Sequence, residues 1–272
     1  DDDYTDGSTN YTGEYASAKL TWQPSPSHSI FGNYMIDPID IPDLYAYIGY
    51  NNRTQSADNL REQGGNAFIA EWTGVMSDSV FLTFKYNKKE APLNNIPNTI
   101  DTNYYTWANG GLYFGGSTSE YYTNRNHDIY AGTFTKFLDT ASGSHELKAG
   151  LEYYDIALDR YSESYPSNTY IRMDGGLDDL DLWYDKYEYT DEGRRGWNNT
   201  TQNSVVLYLQ DSWRVNANLT LNLGLRFESL QDKANTGEAI LDFGWGDRIQ
   251  PRLGFAYDLN GSNIHGSIGR YH

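Results

Sequence analysis

The stretch Asn218-Leu-Thr-Leu-Asn-Leu-Gly-Leu-Arg-Phe-Glu-Ser-Leu230 alternates between large apolar residues and polar or small ones. Its apolar positions are Leu219, Leu221, Leu223, Leu225 and Phe227, and its alternate positions are Thr220, Asn222, Gly224, Arg226 and Glu228. Successive side chains of a β-strand point to opposite faces, so a period of two predicts a strand with one apolar and one polar face. Such a strand fits lipid opposite a watery lumen, and it fits a soluble sheet packed on a core equally well.

Nine further segments show the same alternation less cleanly. They are residues 13–22, 29–37, 66–74, 79–87, 128–138, 144–156, 203–215, 247–259 and 262–271. Together with Asn218-to-Leu230 they give ten predicted strands. The fold class that we expect is therefore all-β and antiparallel.

The connections between these ten strands alternate between short and long. Residues 23–28, 75–78, 139–143, 216–217 and 260–261 form the short set, and residues 38–65, 88–127, 157–202 and 229–246 form the long set. A soluble sandwich has no reason to keep this alternation, whereas an outer-membrane barrel has tight periplasmic turns and long extracellular loops. The pattern predicts a transmembrane β-barrel portion of about ten strands, with the face from Leu219 to Phe227 towards lipid.

Composition excludes several other classes of protein. The 272 residues carry a net charge of −17, which disfavours nucleic acid as a partner, because phosphate binding needs a basic surface. The chain has no Cys, which excludes disulfides, thiolate metal sites and a Cys nucleophile. No apolar run approaches the roughly 18 residues of a transmembrane helix.

Three tryptophans lie near short turns of the predicted barrel, namely Trp22, Trp72 and Trp213. Aromatic rings at the ends of membrane strands anchor at the lipid headgroups, so we predict that these three mark the interface. Packing in an ordinary core is an equally good explanation for each residue taken alone.

No catalytic arrangement and no cofactor motif are visible, so we expect a protein that is not an enzyme. The five histidines are scattered, and no phosphate-binding loop or nucleophile elbow follows a predicted strand. One acidic segment is a weak candidate for a Ca²⁺ loop, through Asp174, Asp178, Asp179, Asp181 and Asp185. Because its spacing is not that of an EF-hand, a solvated acidic loop is the favoured explanation.

Two hairpins of the sequence are similar to those of a known family. Leu207-Tyr-Leu-Gln-Asp-Ser-Trp-Arg-Val215 followed by Asn218-Leu-Thr-Leu-Asn-Leu-Gly-Leu-Arg-Phe-Glu228 resembles a hairpin of TonB-dependent outer-membrane receptors. Ile249-Gln-Pro-Arg-Leu-Gly-Phe-Ala-Tyr-Asp258 with Gly266-Ser-Ile-Gly-Arg-Tyr271 resembles the next hairpin, and Pro251 falls where that family often has proline. The spacing is most similar to the Oar-like subgroup, whose members carry a carboxypeptidase-regulatory-like domain.

The resemblance implies a barrel of about 22 strands around a plug, in the bacterial outer membrane, with energy delivered through TonB. On this basis residues 1–272 are part of one receptor barrel domain, and the plug and remaining strands lie outside the chain. The expected partners are outer-membrane lipid, TonB through the plug, and an extracellular ligand that is a peptide, protein or glycan. The expected function is capture of that ligand by the extracellular loops and its passage across the membrane.

Two alternatives remain open from the sequence. One is a passive porin or a structural outer-membrane barrel that closes with few strands. The other is a soluble secreted β-sandwich that binds a ligand, which requires the face from Leu219 to Phe227 to pack on a second sheet.

Overall fold

The computed structural model describes residues 10–48, 58–99, 103–107, 113–115, 119–164, 169–174, 183–188, 196–197, 199–259 and 261–271. Within these ranges the chain is almost entirely β-strand. Its elements in chain order are β1 (Thr12–Gly13), β2 (Ala16–Ser25), β3 (His28–Ile36), β4 (Ile39–Ile41), α1 (Leu44–Tyr47), β5 (Asn59–Gln63), β6 (Asn66–Ser77), β7 (Val80–Pro97), β8 (Asn103–Trp107), β9 (Tyr113–Gly115), β10 (Ser119–Thr140), β11 (Gly143–Ser164), β12 (Thr169–Asp174), β13 (Trp183–Glu188), β14 (Gly196–Trp197), β15 (Thr200–Arg214), β16 (Leu219–Lys233), β17 (Ala239–Asp258) and β18 (Asn263–Gly269).

Ten of these strands form an antiparallel meander. In order across the sheet they are β2, β3, β6, β7, β10, β11, β15, β16, β17 and β18, and each pairs with the next one in sequence. The ten correspond one to one to the predicted strands, so the all-β antiparallel fold is confirmed. Within the described ranges no strand pairing joins β2 to β18, and the sheet is open there.

The two ends of the meander differ in how the strands connect. At one end the turns are tight, at residues 26–27, 78–79, 141–142 and 215–218. At the other end the strands run much further than predicted, and β10 and β11 reach 22 residues each. A strand crosses a bilayer in about 9–11 residues, so β10 and β11 are about twice as long as a crossing requires. We call the two ends the short-turn end and the extended end.

Strand register gives the meander one apolar and one polar face. Each cross-strand pair places its two side chains on the same face, and the pairs connect into a single row. That row runs Trp22, Ile30, Trp72, Phe84, Gly132, Leu151, Leu207, Phe227, Ile249. Alternation within each strand therefore carries over to the whole sheet, and one entire surface is apolar.

The apolar face has no covering layer within the described ranges. Phe84 is 57% exposed and Leu209 is 59% exposed, whereas the buried aliphatic side chains are few: Ile41, Leu44, Val206 and Leu230. A continuous apolar surface of this extent is not stable against water. The second sheet that a soluble sandwich requires over Leu223 is not present in the described part of the chain, where Leu223 is 38% exposed.

Towards the extended end, a line of two-residue interruptions crosses three neighbouring strands. It separates β1 from β2, β4 from β3, and β5 from β6, at residues 14–15, 37–38 and 64–65. The pairing register on one side of this line continues unchanged on the other. Backbone hydrogen bonds cross it, from Glu14 N to Pro38 O at 3.0 Å and from Asp37 N to Gly65 O at 3.1 Å. We call this line the seam.

Beyond the seam, β4, α1 and β5 make a compact tip. The Asp58 side chain, 1% exposed, accepts hydrogen bonds at Oδ1 from the backbone N–H groups of Tyr45 (2.8 Å) and Asn59 (2.7 Å). Asn98 Nδ2 donates to Asp43 Oδ1 at 2.9 Å. Each buried acceptor that is satisfied in this way avoids a desolvation penalty of about 1–3 kcal/mol. The tip is therefore an ordered continuation of the sheet, joined to β7 through β5.

A separate small sheet also lies within the segments predicted as long loops. Its strands are arranged β13, β12, β8, β9, with β12 and β8 parallel. These loops are thus partly β-structure, which sequence alternation did not reveal. The described helix, α1, is too short to cross a membrane.

Candidate functional site

The polar face of the meander carries a chain of charged side chains on β11, β16 and β17. Arg226 Nη1 lies 3.6 Å from Glu152 Oε2, and Arg226 Nη2 lies 3.9 Å from Glu228 Oε2. Glu228 Oε1 lies 3.9 Å from Arg248 Nη1. Because positive and negative groups alternate, each charge has a partner of the opposite sign. We call these four residues the charged chain.

Hydroxyl groups fix the carboxylates of the charged chain. Tyr154 OH donates to Glu152 Oε2 at 2.8 Å, and Ser204 Oγ donates to Glu228 Oε1 at 3.4 Å. Hydrogen bonds to an ionised acceptor are stronger than neutral ones, so these contacts hold both carboxylates in place.

Next to the charged chain, Tyr208 lies flat against the strands. Its hydroxyl is 3.1 Å from Thr133 Oγ1, and it reaches there by lying over Gly150. A Cβ atom at residue 150 would be 2.1 Å from the Tyr208 ring, so only glycine allows this arrangement. The polar face is therefore an ordered surface and not a set of free side chains.

Two cavities open on this polar face. The larger, about 510 Å³, lies towards the short-turn end and is lined by Lys148, Gln210, Asn222, Arg252 and His265 among others. The smaller, about 190 Å³, lies between Glu152, Tyr208, Arg226 and Arg252. Both are lined by hydrogen-bonding and charged groups, which suits contact with water, polar solutes or a polar protein surface.

Beyond the charged chain, at the extended end, aromatic side chains occupy both faces of β10 and β11. Arg160 lies over the Tyr121 ring at 4.8 Å on the polar face, and on the opposite face the Tyr122 and Tyr161 rings are 6.2 Å apart. Burial, and then the negative charge of Glu120, raise the pKa of Tyr122. Its phenol therefore stays protonated at neutral pH and remains a hydrogen-bond donor. Such surfaces can bind ligands or simply order the strand ends.

The predicted interface residues lie on the apolar face. Leu219, Leu221, Leu223, Leu225 and Phe227 share one side of β16, in register with Tyr257, Phe255, Leu253, Pro251 and Ile249 of β17. Trp22 and Trp213 lie near the short-turn end of β2 and β15, and Trp72 lies within β6. The Trp72 ring stacks on Phe84 at 5.7 Å, and the Trp213 ring stacks on His145 at 5.3 Å. Contact of these residues with lipid stays a prediction.

The predicted calcium loop falls mostly outside the described residues. Asp178, Asp179 and Asp181 are not described, and Asp174 and Asp185 are placed only as positions in β12 and β13. Across the ranges that the structure does describe, no group of three or more acidic or histidine side chains could hold a metal ion.

Sequence reasoning did not identify the charged chain. Alternation placed Arg226 and Glu228 on the polar side of one strand, but their partners Glu152 and Arg248 come from β11 and β17. Only the register between strands brings the four together, and one sequence does not specify that register.

Comparison with known proteins gives one family match. A family model described as an outer membrane beta barrel domain matches residues 2–245. No curated protein sequence is matched.

Three solved structures illustrate the similarity in fold. P. aeruginosa FpvA in complex with pyoverdine and iron superposes with a TM-score of 0.63 at 13% identity, over 94% of this chain and 35% of FpvA. BauA, the ferric preacinetobactin receptor of Acinetobacter baumannii, gives 0.62 at 12%, over 97% of this chain and 40% of BauA. FauA, the alcaligin outer membrane receptor of Bordetella pertussis, gives 0.61 at 12%, over 96% of this chain and 35% of FauA. This chain thus spans 35–40% of the length of these three receptors.

Proposed function

The chain belongs to the outer membrane beta barrel domain family, and from this premise we propose that it is part of the barrel of a TonB-dependent receptor. Its location is the outer membrane. The observation that carries the proposal is the match of nearly the whole meander to barrels of siderophore receptors, with TM-scores of 0.61 to 0.63. The hairpin resemblance in residues 203–271 points the same way. The Oar-like subgroup is a finer proposal that rests on that hairpin spacing alone.

The two faces of the sheet support division into a lipid side and a lumen side. In this proposal the face with Leu207 and Phe227 contacts lipid, and the charged chain lines the lumen. Charged groups in a lumen are solvated or paired, which removes the cost of placing them at membrane depth. The remaining strands and a plug would belong to the full-length receptor, outside these 272 residues.

The extended end supplies the surface for ligand capture in this proposal. Its tip is held by Asp58, and on the polar face Tyr121 and Arg160 offer aromatic and cationic contacts. FpvA, BauA and FauA are described with siderophores, so a ferric siderophore is the first ligand class to test. The Oar-like resemblance instead suggests a peptide, protein or glycan.

The test is energy-dependent uptake by cells that express the full-length receptor. Radiolabelled iron bound to hydroxamate or catecholate siderophores, and a labelled peptide mixture, serve as probes. An active receptor gives uptake above that of empty-vector cells, and a protonophore abolishes it because the inner-membrane gradient supplies the energy. Uptake that persists with the protonophore identifies a passive porin instead.

A further inference from the structure

A carboxylate interrupts the apolar face near the short-turn end. Asp211 of β15 pairs with Leu147 of β11 on one side and with Leu223 of β16 on the other, so it lies on the apolar face. Trp213, two residues further along β15, lies one side-chain row closer to the short turn, about 7 Å away. A carboxylate at this depth in a membrane protein is costly unless it has a partner.

One oxygen of Asp211 is held by a rigid aromatic pair. Asp211 Oδ2 lies 2.8 Å from His145 Nδ1, the His145 ring stacks on Trp213 at 5.3 Å, and Trp213 Nε1 donates to Ser142 O at 2.9 Å. The second oxygen, Oδ1, is buried and has no hydrogen-bond partner among the described residues, although the Asp211 side chain as a whole is 20% exposed. The carboxylate is therefore fixed in orientation, with one oxygen towards His145 and the other buried.

A cation lies in the same row of the apolar face. Lys136 of β10 pairs with Leu147, which in turn pairs with Asp211. The positions of Lys136 and Asp211 are two strand spacings apart, about 10 Å, and a lysine stem can shorten that gap at a membrane interface. The row thus presents one positive and one negative group with a leucine between them.

An apolar groove of about 620 Å³ leads from Asp211 towards the middle of the strands. Its walls are Phe134, Leu147, Leu209, Leu223 and Leu253, and its floor is Ala149. Ala149 is the small member of the next row, where it pairs with Phe134 and Leu209. An apolar groove that reaches a carboxylate, with a lysine in the same row of side chains, has the polarity of a lipid site.

We propose that this surface binds one phospholipid with a primary ammonium headgroup, in the leaflet that contacts the short turns. The ammonium group contacts the exposed part of the Asp211 carboxylate, the phosphate faces Lys136, and an acyl chain lies over Ala149. The zwitterionic pair favours a zwitterionic lipid over one with a net negative charge, because Asp211 repels an anionic headgroup. The inference rests on the outer-membrane location and not on what the barrel transports.

Native mass spectrometry of the full-length receptor tests the site. The detergent-purified protein is titrated with phosphatidylethanolamine and with phosphatidylglycerol of identical acyl chains. Wild-type protein should retain phosphatidylethanolamine about threefold to tenfold better, the range for one charge-assisted hydrogen bond that is partly solvated. Asp211→Asn should abolish that preference, and Asp211→Glu should preserve it.

The matched control is Asp155→Asn, which removes a carboxylate from the same face of β11 nearer the extended end and should leave the preference unchanged. Ala149→Phe fills the groove and should reduce retention of both lipids alike. Heat-modifiable mobility on a gel verifies that each variant is folded. If Asp211→Asn does not fold, Lys136→Gln replaces it and should lower retention of both lipids through the lost phosphate contact.

Equal retention of the two lipids by wild-type protein, or an unchanged preference in Asp211→Asn, would overturn the proposal. Loss of lipid with normal ligand uptake would separate this site from the proposed transport.

Discussion

Gly64 shows at the scale of one residue why the seam has its sequence. Its φ is +103°, which side chains other than glycine rarely adopt, and a Cβ atom there would be 2.0 Å from the Asp37 carbonyl oxygen. Two independent constraints, backbone conformation and contact with the neighbouring strand, therefore require glycine at this point.

Gly64→Ala should lower the free energy of unfolding by about 2–3 kcal/mol, because strained backbone and a steric clash act together. Gly237→Ala is the matched control, since its φ is +82° but nothing lies within 4 Å of the added atom. It should cost only about 1 kcal/mol. Urea titration in lipid vesicles, followed by tryptophan fluorescence, measures both. Equal losses for the two variants would contradict the clash.

Arg226 has a different role, because it separates two carboxylates. Without it, Glu152 and Glu228 lose their shared counter-charge. Arg226→Met should reduce stability by about 1–2 kcal/mol, given that the site is half-buried and partly screened. Arg226→Lys should restore part of that loss.

The control for this prediction is Arg214→Met, an exposed arginine at the short-turn end of β15, which should change stability by less than about 0.5 kcal/mol. The same urea titration applies. A loss for Arg226→Met no greater than that for Arg214→Met would show that the charged chain does not contribute to stability.

At the scale of the element, each long strand has one face for lipid and one face for water. The two faces can be compared at Leu207 and Gln210 of β15, because these residues lie on opposite faces and are both exposed. The difference in their surroundings predicts opposite tolerance to charge.

Leu207→Arg should cost about 2–4 kcal/mol, the range for a cation placed against the middle of a bilayer. Gln210→Arg should stay within about 0.5 kcal/mol because its side chain faces the lumen. Folding in vesicles of defined thickness measures the difference. Similar costs for the two substitutions would refute the assignment of the apolar face to lipid.

Strand cores could be predicted from the sequence, but strand ends at the extended end could not. Residues 144–156 were predicted from alternation, and β11 continues to Ser164. Once a strand leaves the membrane both its faces meet water, so the period of two is lost while the backbone ladder with β10 persists. The predicted loop 229–246 shows the same effect, since it is mostly the ends of β16 and β17 with a connection at residues 234–238.

The candidate sites were harder to predict than the strands. Asp211 and His145 interrupt the apolar alternation of β15 and β11, so in one sequence they look like irregularities. The contact between them depends on the register of β11 against β15, which the periodicity of one sequence does not specify.

At the scale of the whole molecule, the asymmetry between short and extended ends predicts its orientation. Barrels of this type place tight turns in the periplasm and long connections outside the cell. Because these 272 residues contain no Cys, single cysteines introduced into them can report each side, with the receptor that lacks the introduced cysteine as the background control.

Thr236→Cys, in the connection between β16 and β17, should react with a membrane-impermeant maleimide in intact cells expressing the full-length receptor. Ala217→Cys, in the turn between β15 and β16, should react only after permeabilisation. The fluorescence of the labelled receptor on a gel gives the answer. The reverse pattern would require the opposite orientation, and with it a different surface for ligand capture.

The seam has a consequence for how such a protein changes over generations. Pairing register is the same on both sides of it, so insertions or replacements in the tip beyond β4 and β5 do not shift the strands in the wall. The tip is thereby separated from the part of the sheet that is constrained by the bilayer. Sequence changes in the tip can therefore accumulate over generations without altering the pairing of the wall strands.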